Sequence, residues 1–138
     1  MRVLLPAAVV ALLLAAGQAR AHHAIAAIYD ASKQITLEGV VTDFQFISPH
    51  PFVVIEAENS GGKETWRLEM DNRSELSAVG MRGDTLRNGD RVIVKGGVAR
   101  DRSRALYIRR LERPGDGFWY EQVGSSPKVG SSRLLKTP

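Results

Sequence analysis

Three histidines carry the chemistry that this sequence can offer: His22, His23 and His50. There is no cysteine, which excludes thiolate zinc sites, iron–sulfur clusters, disulfides and a cysteine nucleophile. A histidine at a free N-terminus can present two nitrogens to one metal, its α-amine and its imidazole. The α-amine titrates near about 8 and so gives up its proton more readily than a lysine. One further imidazole completes a nitrogen set that suits copper, which the Irving–Williams order favours over nickel and zinc. Adjacent histidines can also hold Cu(I) between two nitrogens.

This chemistry requires that the mature chain begin at His22. Arg2 precedes an uncharged apolar run from Val3 to Ala16, interrupted only by Pro6. The run is shorter than the roughly 20 residues that span a bilayer. Ala19-x-Ala21 then supplies a small-x-small cleavage site. Residues 1–21 therefore read as a cleavable signal peptide, and the protein is expected in the periplasm with no stable membrane insertion after cleavage. The formal charge is +4, and loss of Arg2 and Arg20 removes two of those positive charges. A basic balance that weak, in an exported chain, does not point to nucleic acid.

The elements that must position the histidines follow from periodicity. Residues 22–34 form an N-terminal strap, with Ile25, Ile28 and Tyr29 at helical spacing in a segment too short to hold a helix alone. A long strand alternates from Ile35, with a bend or bulge expected at Gly39. Ser48-Pro49-His50-Pro51 breaks it in a turn. Strands follow over Phe52–Glu58 and Lys63–Met70, joined through Asn59-Ser60-Gly61-Gly62. Asn72 and Glu75 have the spacing of a capping box, and Gly80 stops a short helix. Two more strands span Arg91–Ala99 and Ala105–Glu112.

This order predicts a mainly β fold. It is a small five-stranded OB-like antiparallel barrel over residues 35–113, with one short helix between strands three and four. The rival is an open antiparallel sheet with the helix across one face. Gly39, Gly96 and Gly97 favour closure, because a barrel needs bends. Residues 114–138 read as a flexible tail, rich in Gly, Ser, Pro and Lys beyond Gln122, with Phe118-Trp119-Tyr120 as an aromatic cluster.

Other candidates are weaker. Tyr29-Asp30 can hydrogen-bond near the histidines. Glu69 with Asp71, and Glu56 with Glu58, are carboxylate pairs of the kind used in acid–base work, though solvated strand faces explain them as well. Trp66 and Met70 fit a core. Arg100, Arg102, Arg104, Arg109 and Arg110 gather around the fifth strand, where a solvated hairpin tip is the plain reading and an anionic lipid, glycan or protein the functional one. No P-loop, dinucleotide fingerprint or G-x-S-x-G frame is present.

Several motifs follow one another in a fixed order. They are the stretch from His22 to Asp30, Leu37-Glu38-Gly39-Val40-Val41, Ser48-Pro49-His50, Trp66-x-x-Glu69, and Leu86-x-x-Gly89-Asp90-x-Val92-x-Val94-x-Gly96. Together they resemble a family of small exported bacterial proteins of unknown function. Its members usually begin the mature chain with His-His-Ser-Phe and carry Asn-Pro-His in the first turn. Here Ala24-Ile25 replaces Ser-Phe, and Ser48 replaces the Asn. Both changes spare the histidines, while touching positions that can orient ligating imidazoles. The resemblance implies a small β-barrel in the periplasm and no particular reaction.

The sequence thus leads to a periplasmic metal-binding domain with His22, His23 and His50 as ligands and copper ahead of zinc or nickel. A carrier or accessory role is expected over catalysis, since no base or substrate cleft is evident. A metal-free module binding a periplasmic protein or glycan on strands two and three is the alternative. A copper-dependent oxidase stands third.

Overall fold

The computed structural model describes residues 24–124 and 126–132. Apolar alternation builds most of the elements. In the strand Phe52–Asn59, Val53, Ile55 and Ala57 are buried while Phe52, Val54 and Glu56 are half-buried. This is the period-two pattern of a strand with one face on the core. Arg91–Ala99 buries Val92 and Val94 in the same way, then shifts phase at Gly96 and Gly97. The β-bulge between Lys95 and Gly96 accounts for that shift.

A helical turn, α1, covers residues 24–28. The strands are β1 (Tyr29–Gln45), β2 (Phe52–Asn59), β3 (Gly62–Glu69), β4 (Arg91–Ala99), β5 (Ala105–Arg113), β6 (Phe118–Val123) and β7 (Ser126–Ser131). A second helix, α2 (Arg73–Ala78), lies between β3 and β4. The fold is mainly β. β1 pairs with both β2 and β4, β2 with β3, and β4 with β5, all antiparallel. β3 pairs with β5 in parallel through Leu68 and Leu106, so the circuit of pairings returns to β1. The hydrophobic core includes Val41, Ile55, Leu68, Leu76, Val94, Ile108 and Tyr120.

Three expectations are corrected. The sheet has seven strands, not five, and one of its pairings is parallel. The segment expected as a flexible tail carries β6 and β7, because Tyr120 and Gln122 alternate into the interior and β6 gives β7 an edge to pair with. The segment expected as a strap is instead α1 followed by the first residues of β1, which pair with β4 through Tyr29 and Asp30. Its polar residues Ser32, Lys33 and Gln34 are exposed across a bulge, so they leave no alternating signal in the sequence.

Local signals at α2 fall partly as expected. Asn72 Oδ1 accepts the Ser74 backbone N–H at 2.9 Å, as a helix cap does. The Asn72 backbone N–H donates to Asp71 Oδ1 at 2.7 Å, so Glu75 does not close a capping box. Gly80 takes a φ of 97°, and the helix ends there. Gly39 faces the β2 backbone, where a Cβ would press on Glu56. The bulge expected at Gly39 lies instead between Val41 and Asp43.

Candidate functional site

The turn between β1 and β2 is stitched to the junction of β3 and α2. Met70 N donates to the Pro51 carbonyl at 2.9 Å, and Arg73 N donates to the Pro49 carbonyl at 3.0 Å. His50 is half-buried in this seam, with Nδ1 3.0 Å from the Met70 carbonyl oxygen. A carbonyl oxygen only accepts, so Nδ1 carries the proton and donates. In the neutral ring, Nε2 is then left with its lone pair. Ligating imidazoles are commonly oriented by such a backbone acceptor.

Carboxylates gather beside His50. Glu75 is hydrogen-bonded to Asp71. Burial, followed by that hydrogen bond and the Asp71 charge, raises the Glu75 carboxyl above its ordinary range, against the lowering effect of nearby His50. Asp71 Oδ2 also accepts Gln122 Nε2 at 2.7 Å. Gln122 is buried and accepts the Tyr120 hydroxyl at 3.0 Å. Burial pushes the Tyr120 phenol far up, helped by Tyr107 and Asp71. This network was missed in the sequence because it depends on β6. The alternation of Tyr120 and Gln122 is the signal that could have revealed it.

The described N-terminal segment packs on β1, β4 and β5. Ile25 packs on a small cluster of Tyr29, Ala99 and Tyr107. Arg100 donates from Nε to the Ala26 carbonyl at 3.0 Å and from its backbone N–H to Ile28 at 2.8 Å. The Tyr29 and Tyr107 rings are 5.9 Å apart. Tyr107 is raised first by burial, then by Asp71, with Glu69 and Glu75 adding to the shift.

His22 and His23 lie outside the described residues. Among the described residues, no group of three or more His, Asp or Glu side chains is arranged to hold a metal. The fold therefore brings together His50, Asp71 and Glu75, while the described part of the chain supplies no complete metal site.

The other sequence candidates separate. The Tyr29 hydroxyl donates to Glu69 Oε2 at 2.7 Å. Asp30 accepts from Ser32 and pairs with Arg100 at 3.6 Å. Glu56 meets Lys63 at 2.8 Å. Trp66 packs on the core, and Met70 is fully buried within it. The basic residues around β5 do not form one patch. Arg104 meets Glu64 at 3.1 Å, and Arg110 meets Glu112 at 2.6 Å and Glu121 at 3.4 Å. Arg102 occupies an exposed turn with a φ of 64°.

The chain belongs to a family of unknown function, DUF6152, whose model matches residues 9–107. A comparison with curated proteins finds no match. In structure the chain is similar to a mitochondrial single-stranded DNA-binding protein from S. cerevisiae. That likeness has 13% identity and a TM-score of 0.46 over 59% of this chain and 92% of that one. It is also similar to the ZRD-deleted mutant of TiaS in complex with agmatine. There the identity is 17% and the TM-score 0.42, over 74% of this chain and 26% of that one.

Proposed function

We propose that this protein is an exported, periplasmic, OB-like barrel that binds copper in a carrier or accessory role. Residues 1–21 direct export, and cleavage leaves His22 as the first residue. His22 supplies its α-amine and imidazole, and His50 supplies the opposing imidazole. His23 is a further or alternative ligand. Zinc and nickel rank behind copper for this nitrogen set. The OB-like reading draws on the pairing circuit β1-β2-β3-β5-β4-β1, with β6 and β7 appended to β5.

The observation that carries the proposal is the 3.0 Å contact between His50 Nδ1 and the Met70 carbonyl. It leaves Nε2 as the nitrogen able to ligate. The family match over residues 9–107 also takes in all three histidines.

The test is native mass spectrometry of protein exported from the full-length gene, before and after one equivalent of copper. The expected result is a chain starting at His22 that retains one copper. A different N-terminus, or no retained copper, overturns the proposal. The better reading would then be a metal-free module that binds a protein or glycan. That alternative draws on the outer face of β2 and β3, where Arg67 lies 4.0 Å above the half-buried Phe52 ring.

A further inference from the structure

Arg109 differs from the other half-buried arginines of β5. Arg110 and Arg113 each meet carboxylates, at 2.6 and 2.7 Å. Among the described residues Arg109 has no ion pair and no hydrogen bond. Its guanidinium lies 5.4 Å from the centre of the Tyr107 ring. A partly desolvated charge that meets only a ring face, with no anion or hydrogen-bond acceptor, is costly to hold, so its retention asks for a reason.

Tyr107 shows a parallel anomaly. The Tyr29 hydroxyl donates to Glu69, and the Tyr120 hydroxyl donates to Gln122. The Tyr107 hydroxyl has no hydrogen-bond partner among the described residues. Tyr107 is only 6% exposed. Yet no fully buried polar side-chain atom in the described residues lacks a partner. The hydroxyl therefore reaches accessible space.

Both residues line one small pocket of about 150 Å³ with Tyr29, Ile25, Ala26, Ala31 and Gly97. The polar groups are thus a guanidinium and phenols, and the other walls are aliphatic or backbone. Gly97 contributes no side chain to the wall. A cavity near 150 Å³ takes a body about the size of benzene. The pocket offers one full positive charge. Glu69, Asp71 and Glu75 lie near enough to Tyr107 to raise its phenol, so a second negative charge on a ligand would meet repulsion.

We propose that the pocket between Tyr29, Tyr107 and Arg109 binds a small monocarboxylate that carries a short apolar chain. Arg109 and the Tyr107 hydroxyl hold the carboxylate oxygens. Ile25, Ala26 and Ala31 cover the chain. A free acid and the C-terminal residue of a peptide both present such a carboxylate. This site needs none of the three histidines, and it stands or falls independently of copper binding.

The test is an amide NMR titration of the full mature chain, kept free of metal, with sodium butyrate. Saturable shifts are expected at Ile25, Ala26 and Gly97. Arg109→Met should weaken butyrate roughly tenfold or more, since it removes a charge-assisted contact. Tyr107→Phe, which keeps the ring, should weaken it by a smaller factor. Both spectra should stay dispersed as in the parent. Butanol and inorganic phosphate should leave the pocket amides unmoved. A short peptide ending in a free carboxylate that binds tighter than butyrate would assign the site to chain ends, and the reverse order to free acids. No saturable shift with butyrate, equal binding of phosphate, or unchanged affinity in both variants would overturn the proposal.

Discussion

The Tyr29 hydroxyl donates to Glu69 Oε2 at 2.7 Å, joining the first residue of β1 to the last residue of β3. These strands are not neighbours in the sheet. The bond therefore adds a side-chain link between two strands that the ladders join only through intervening strands. Tyr29→Phe keeps the ring contact with Tyr107 and removes only the donor. A hydrogen bond to a charged acceptor contributes about 1.5–3 kcal/mol, and partial exposure here places the expected loss near the lower end. Denaturant unfolding should show a lower midpoint with an unchanged slope. A midpoint equal to that of the parent would mean that Glu69 finds water as good a partner.

The Asp71–Glu75 pair makes stability depend on pH. Glu75 is raised above its ordinary 4.5, first by burial and then by Asp71. The folded state thus holds the Glu75 proton more tightly than the unfolded chain. The resulting stabilisation is fully present below the unfolded value and is lost as pH rises through the folded one. Glu75→Gln keeps an uncharged donor toward Asp71 at every pH. The variant should be more stable than the parent near neutral pH, by on the order of 1 kcal/mol. The gap should close below about pH 4, where the parent carboxyl is also protonated. Thermal unfolding of metal-free protein across pH would read this, and a gap that does not change with pH would refute the shared-proton account.

Legibility in the sequence followed burial. Val53, Ile55 and Ala57 alternate with half-buried neighbours, so β2 could be read from its own residues. The same holds for Val92 and Val94 in β4. Residues 31–34 could not be read this way, because they are exposed and the register with β4 shifts between Asp30 and Gln34. β7 was hidden for another reason. Its Pro127 and Gly130 are poor strand residues, tolerated at the edge of a sheet. Gly130 is needed there, since a Cβ would strike the Trp119 ring. At the site, His50 stood out through its two flanking prolines. Its acceptor, the Met70 carbonyl, could not, because a backbone oxygen twenty residues away leaves no mark on residue type.

His50 has two separable tasks, and two substitutions divide them. Its Nδ1 donates to the Met70 carbonyl and so holds the proline turn against the β3–α2 junction. Its Nε2 is the proposed copper ligand. His50→Ala removes both groups. It should cost about 1 kcal/mol of stability for the lost hydrogen bond and lower copper affinity by about tenfold or more. His50→Asn places an amide N–H close to where Nδ1 stood but offers nothing at Nε2. It should keep most of the stability and lose copper as fully as the alanine variant. A copper titration beside a denaturant melt on each variant separates the cases. Copper retained at parental affinity in both variants would remove His50 from the ligand set. Copper lost only in proportion to stability would make His50 a residue of the turn alone.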